Sequence, residues 1–177
     1  MLTFTHSEGS GLRITGGPKP VSVFVTKASN GDDIRILANP EEEPTPNTIS
    51  WPGEYDRAGI TVRGIGHADG QQVSYMVEID ECRIAFPSSP LAEWSDTEIE
   101  QLGDVHVLVL PAEDPKRCQK LLDEIDPRML LLVPAADGSL HPDVIKACGA
   151  AGKEQVSEYK MKGSMQAEGR EVVVFGS

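Results

Sequence analysis

Val105-His-Val-Leu-Val-Leu110, Asp114-Pro-Lys-Arg-Cys-Gln-Lys-Leu-Leu-Asp-Glu-Ile125 and Met129-Leu-Leu-Leu-Val133 are the segments on which the reading of the fold turns. The first and last are apolar runs of strand length, the pattern of strands covered on both faces rather than of a half-exposed sheet. Between them, Asp114 supplies an N-cap and Pro115 occupies the first helical position, where its missing N–H costs nothing. Cys118, Leu121, Leu122 and Ile125 then recur at helical spacing. The result is strand, helix, strand, with both strands destined for an interior. His106 lies inside the first run and is expected to be a packed or edge histidine.

The signals on either side agree. Ser95-Asp-Thr-Glu98 is a capping box opening a helix over Asp96 to Leu102, and Gly103 is a fitting stop. His141-Pro142 opens a third helix through about Ala150, with His141 as its cap. Val156 to Lys160 and Glu171 to Phe175 read as closing strands. Ahead of the helices lies a β-rich half: Leu2 to Thr5, Leu12 to Thr15, Val21 to Thr26, Ile34 to Leu37, Ile60 to Ile65 and Val73 to Ile79. The last of these turns at Asp80-Glu81 into Cys82 to Phe86 as a hairpin. Strands first, then strands alternating with helices, predict an α/β architecture of layered sheets with helices outside, in one domain over residues 1–177.

A net charge of −12, from 16 Lys and Arg against 28 Asp and Glu, argues against nucleic acid or an anionic membrane as partner, because both are bound through surplus basic side chains. The N-terminus has no basic start followed by an apolar core, and no stretch is long and apolar enough to span a bilayer, so a cytoplasmic protein is expected. Cys82, Cys118 and Cys148 show no C-x-x-C spacing, which suggests neither a disulfide framework nor a cysteine zinc site. Trp51 and Trp94 read as partner anchors or as core residues.

Several further segments, taken in order, carry a resemblance. They are Trp51-Pro-Gly-Glu-Tyr55, Ala58-Gly-Ile-Thr-Val-Arg-Gly-Ile65, Tyr75-Met-Val-Glu-Ile-Asp-Glu-Cys-Arg-Ile84, Leu102-Gly-Asp-Val-His-Val-Leu-Val-Leu-Pro111, Ile125-Asp-Pro-Arg-Met-Leu-Leu-Leu-Val-Pro134 and Ala167-Glu-Gly-Arg-Glu-Val-Val-Val-Phe175. Together they resemble bacterial metallo-β-lactamase-fold hydrolases, in the branch related to ascorbate-phosphate lactonases. The resemblance implies a metallo-β-lactamase-like layered sandwich of two mixed β-sheets with helices outside. It also implies a chemistry in which one or two divalent metals, zinc or manganese, acidify a bound water and polarise the scissile group.

The ligand positions that the resemblance assigns have mostly lost their donors. The first ligand cluster, H-x-H-x-D-H, falls on Lys27-Ala-Ser-Asn-Gly-Asp32, leaving Lys27, Ser29, Gly31 and Asp32 at the ligand places. A further family histidine corresponds to His67, with Asp69 close behind it in sequence. The bridging aspartate falls on Ser89 and the last histidine on Ala136. One imidazole and one carboxylate are short of the roughly three protein ligands of a catalytic zinc site. The expectation is therefore a metal-free pseudo-hydrolase with no cofactor, acting as a binding or assembly module for a protein partner or for its own oligomer. Two other readings stand beside it: a hydrolase that takes zinc or manganese through His67, Asp69 and Asp32 or through ligands from a neighbouring subunit, and a sensor in which the emptied cleft, with Lys27 at its rim, binds a small anion. Ser88 and Ser89 with His67 and Asp69 suggest serine chemistry, but no G-x-S-x-G elbow surrounds them.

Overall fold

The computed structural model describes residues 1–26, 31–43, 45–161 and 169–176. In chain order its elements begin with β1 (Thr3–His6), β2 (Leu12–Thr15), β3 (Val21–Val23), β4 (Ile34–Ile36), β5 (Thr48–Ile49), β6 (Gly53–Arg57), β7 (Ile60–His67), β8 (Gln72–Ile79) and β9 (Cys82–Phe86). They continue with α1 (Asp96–Leu102), β10 (Val107–Pro111), α2 (Pro115–Ile125), β11 (Met129–Val133), α3 (Pro142–Ala147), β12 (Gln155–Val156), β13 (Glu158–Lys160) and β14 (Glu171–Phe175). Among the described residues the strands form two mixed sheets. One has the order β13-β1-β2-β3-β4-β5, the other β12-β14-β11-β10-β9-β8-β7-β6.

β10 and β11 are buried at every position, as their apolar runs require. Side chains alternate across a strand, so Val107, Val109, Met129, Leu131 and Val133 face the smaller sheet. There they meet Phe4, Leu12, Ile14, Val21, Ile34 and Ile36 in the core between the sheets. Leu108, Leu110, Leu130 and Leu132 point the other way, into a second core roofed by Trp94, Leu102, Leu121, Leu122 and Val144. The larger sheet is thus the shared wall of two apolar layers. Burying one such leucine contributes about 1.5–3 kcal/mol.

The caps that the sequence specifies are present. Ser95 accepts the Glu98 N–H and the Glu98 carboxylate accepts the Ser95 N–H, completing the capping box. Asp114 caps α2, with Pro115 at its start. His141 Nδ1 accepts the Asp143 N–H at 3.1 Å to cap α3. The Asp80-Glu81 turn has φ of 49° and 66°, the left-handed pair that matches the twist of a two-residue hairpin, and Ile79 pairs with Cys82.

Elsewhere the structure corrects the sequence reading. The strand expected over Val21 to Thr26 ends at Val23, because Phe24 turns left-handed (φ 59°). Its ring packs 6.1 Å from Tyr75 and 6.4 Å from Phe86. The strand expected over Val156 to Lys160 divides at Ser157: β12 pairs with β14 in the larger sheet, and β13 pairs with β1 in the smaller. His106 precedes β10 rather than lying within it, and its Nδ1 accepts the Arg83 N–H at 3.0 Å. The third helix ends at Ala147. β5 and β6 were not anticipated; β6 is largely exposed, with no periodic apolar pattern to mark it. The two tryptophans differ: Trp51 is 47% exposed and Trp94 only 2%.

The smaller sheet carries an ion pair whose carboxylate is buried and whose guanidinium, on Arg13, is 35% exposed. Asp33, 2% exposed, accepts hydrogen bonds from Arg13 Nε at 2.8 Å, Arg13 Nη2 at 3.0 Å and Ser22 Oγ at 2.7 Å. The Arg13 hydrogen bond holds the Asp33 carboxyl below the ordinary carboxylate range against the opposing effect of burial, and Ser22 helps. A carboxyl lowered in the folded state contributes stability above its unfolded value, near pH 4, and that contribution fades as pH falls through the folded one. Asp33→Asn is expected to cost about 1–3 kcal/mol near neutral pH and to flatten the acid limb of stability below about pH 5. Urea unfolding midpoints measured across that range check both.

Candidate functional site

β7 and β9 run in the same direction because both are antiparallel to β8. β9, β10 and β11 are parallel neighbours. The C-terminal ends of all four strands therefore open on one edge of the larger sheet, the location where open α/β sheets gather ligands and reacting groups. His67 ends β7, Ser89 follows β9, Glu113 follows β10 and Ala136 follows β11.

His67 is 6% exposed. Its Nδ1 lies 2.6 Å from Glu98 Oε2 and its Nε2 lies 2.9 Å from Ser74 Oγ. The ring stands edge-on to Trp94, with centroids 4.6 Å apart. Ser74 Oγ also accepts the Ser88 N–H at 2.9 Å and lies 3.1 Å from Ser88 Oγ, which in turn accepts from Gln72 Nε2 at 2.8 Å. The whole network is satisfied by the tautomer in which Nδ1–H donates to Glu98 and Nε2 accepts the Ser74 hydroxyl. Burial pushes the Glu98 carboxyl up, but the bonds from Ser95 and from the His67 ring outweigh it and hold the group below its usual value. A pocket of about 400 Å³, lined by His67, Gln72, Leu91, Glu98 and Arg117 among others, opens beside this network.

Ser89 and Ala136 meet although 47 residues separate them: the Ser89 hydroxyl accepts the Ala136 N–H at 2.9 Å. The same hydroxyl donates to Glu113 Oε1 at 3.0 Å, and that oxygen also accepts the Leu91 N–H. The β1–β2 loop closes over the far side. Gly9 is left-handed (φ 53°), and a Cβ there would stand 3.0 Å from the Ala136 carbonyl oxygen, so no larger residue fits without displacing backbone. Asp32 is exposed ahead of β4, and Asp69 is exposed in the turn after β7. Lys27 and Ser29 lie outside the described residues.

No protein-family model matches the sequence, and comparison with curated proteins gives no match. Solved structures do match. A proposed Zn-dependent hydrolase of the metallo-β-lactamase superfamily from Thermotoga maritima superposes with a TM-score of 0.77 at 14% identity, over 99% of each chain. The metallo-β-lactamase fold protein YhfI from Bacillus subtilis superposes with a TM-score of 0.62 at 9% identity, over 99% of this chain and 96% of that one. A proposed metal-dependent hydrolase from Parabacteroides distasonis gives 0.61 at 13% identity, over 98% and 92% of the two chains. The chain has the metallo-β-lactamase fold.

In a metallo-β-lactamase fold the natural question is whether the donors suit a metal. Among the described residues, no group of three or more His, Cys, Asp or Glu side chains is placed to hold one. Both nitrogens of His67 are engaged by Glu98 and Ser74. The Ser89 hydroxyl is engaged by Glu113 and Ala136, and alanine has no donor side chain. These residues do not fit a centre that needs several nitrogen and oxygen atoms converging on one point.

Sequence reasoning gave Glu98 a capping role only, whereas its second oxygen also holds His67. Ser74 and Glu113 went unnoticed. No local signal marks them, since Glu113 sits beside an N-cap and Ser74 inside an apolar strand, and their partners are distant in sequence. His67→Ala would strand Glu98 and Ser74 and open a void beside Trp94. It is expected to cost about 2–4 kcal/mol in urea unfolding, and a loss under about 1 kcal/mol would show that the network is incidental.

Proposed function

We propose that this metallo-β-lactamase-fold chain acts as a binding or assembly module that does without the metal-hydroxide chemistry its sequence resemblance implies. The observation that carries this reading is the contact between Ser89 and Ala136. The two residues assigned by resemblance to a bridging aspartate and a ligand histidine lie side by side, hydrogen-bonded to the protein itself. Generating an attacking hydroxide takes a metal with an open coordination position, and a serine hydroxyl committed to Glu113 with an alanine methyl beside it supplies no such site. When site chemistry goes, fold and surface persist, so docking on a protein partner or on further copies of the chain, in the cytoplasm, is the role proposed. The descent proposed is from the ascorbate-phosphate lactonase-like branch, on the segments quoted from Trp51 onward.

The rival is a metal-dependent hydrolase with a non-standard site, and what favours it is the company the fold keeps among solved structures named as metal-dependent hydrolases. Protein purified without chelator is expected to carry well under about one zinc, manganese or iron per chain by elemental analysis, and to show no metal-stimulated esterase, lactonase or phosphodiesterase turnover. Stoichiometric metal with turnover abolished by chelation would establish the rival. Light scattering is expected to reveal a particle heavier than one chain, or a co-purifying protein.

A further inference from the structure

Residues 87–95, between β9 and α1, form neither helix nor strand. Their backbone groups therefore lack the ladder that satisfies peptide polarity elsewhere. The segment nevertheless drives Leu91 and Trp94 into the core beneath the helices, each 2% exposed. Side chains from three other parts of the chain take the place of a ladder. Gln72 Nε2, at the start of β8, donates to the Pro90 carbonyl at 2.6 Å. Glu113, in the loop after β10, accepts the Leu91 N–H, and Arg117 Nη1 of α2 donates to the Leu91 carbonyl at 2.8 Å. One turn further along α2, Lys120 Nζ donates to the Trp94 carbonyl at 2.6 Å. Glu113 also receives the Ser89 hydroxyl, which accepts the Ala136 N–H of the loop after β11.

We propose that Glu113 is a positioning residue. Its carboxylate, through Ser89 and Leu91, is the hub of a metal-independent clamp that binds the loops after β9, β10 and β11 into one rigid edge, with Arg117 and Lys120 holding the same segment further along. Three features support this. The loops emerge side by side from parallel strands, so the Glu113 carboxylate reaches Ser89 and Leu91 of the first, and the Ser89 hydroxyl carries the link on to Ala136 of the third. The bonds from Glu113, Arg117 and Lys120 to the segment involve ionisable side chains, and such bonds are about twice as strong as neutral ones. Their partners are main-chain groups of a segment whose Leu91 and Trp94 side chains are buried, so releasing the clamp removes the bonds that hold those two anchors in place. A bound cation can tie neighbouring loops together by drawing their donors to one point, and here protein hydrogen bonds provide that tie. The clamp does not depend on the binding-module reading, and the two fail on different measurements.

Amide hydrogen exchange followed by NMR tests it on the full chain. In the unaltered protein the Leu91 and Ala136 amides are expected to be protected, and neither chelator nor added zinc should change that protection. In Glu113→Ala both should lose about tenfold or more in protection relative to Val109 and Leu131, interior amides that report any general loss of stability. In Ser89→Ala the Leu91 bond to Glu113 remains, so Ala136 alone should lose protection. If Glu113→Ala does not fold, Glu113→Gln decides: lowered protection at Leu91 and Ala136 relative to Val109 and Leu131 supports the clamp, and unchanged protection at both overturns it. Unchanged protection at Leu91 in a folded Glu113→Ala protein would also overturn it, as would protection in the unaltered protein that collapses with chelator and returns with zinc.

Discussion

Everything in this molecule is arranged around the need to cover both faces of β10 and β11. A strand whose every side chain is apolar cannot sit at a surface, and two such strands side by side demand an apolar layer above and another below. The smaller sheet supplies one layer and α1, α2 and α3 the other. The chain between β9 and α1 is tied down beside the helices by side-chain hydrogen bonds, and on the face of the smaller sheet away from the core Arg13 and Ser22 satisfy Asp33.

The polar edge of the larger sheet is a hydrogen-bonded network in its own right. Imidazole, hydroxyl and carboxylate groups are all present there, but each is directed at another protein group. Histidine with a carboxylate on one nitrogen and a hydroxyl on the other looks like catalytic machinery in outline. Ser74, however, is 1% exposed and receives the Ser88 N–H, so the trio holds β7, β8 and α1 together. Identical functional groups give a reagent when one valence is left open to solvent and a fastener when none is.

What could be read from the sequence was whatever is coded locally. Caps and stops at Ser95, Gly103, Asp114 and His141 depend on neighbours within a turn, and the Asp80-Glu81 hairpin on two residues. The uninterrupted runs from Val107 and Met129 declare their burial outright. β6 could not be read, because an edge strand exposed on both faces carries no alternation. Nor could the division of the last strand pair at Ser157, where the chain leaves one sheet for the other. Of the candidate site, the sequence pointed to His67, Ser89 and Ala136 but not to Ser74 or Glu113, and not to the bonding: Ser89, Glu113 and Ala136 are brought together by the parallel order of β9, β10 and β11, and only the assembled sheet reveals that Glu113 holds Ser89 while Ser89 holds Ala136.

The bend at Ser157 carries a consequence for how the chain acquires its shape. Thr3 lies opposite Lys160 and Phe4 opposite Tyr159, so a strand at one extreme of the sequence finishes its pairing with one from nearly the other. Such distant partners impose a large loop-closure entropy and slow folding. Until β13 docks, the margin of β1 away from β2 has no ladder partner, whereas β7, β8 and β9 are joined through short turns. During that interval β1 offers unpaired amides to any passing strand, and edge-to-edge mispairing is the hazard this topology brings with it.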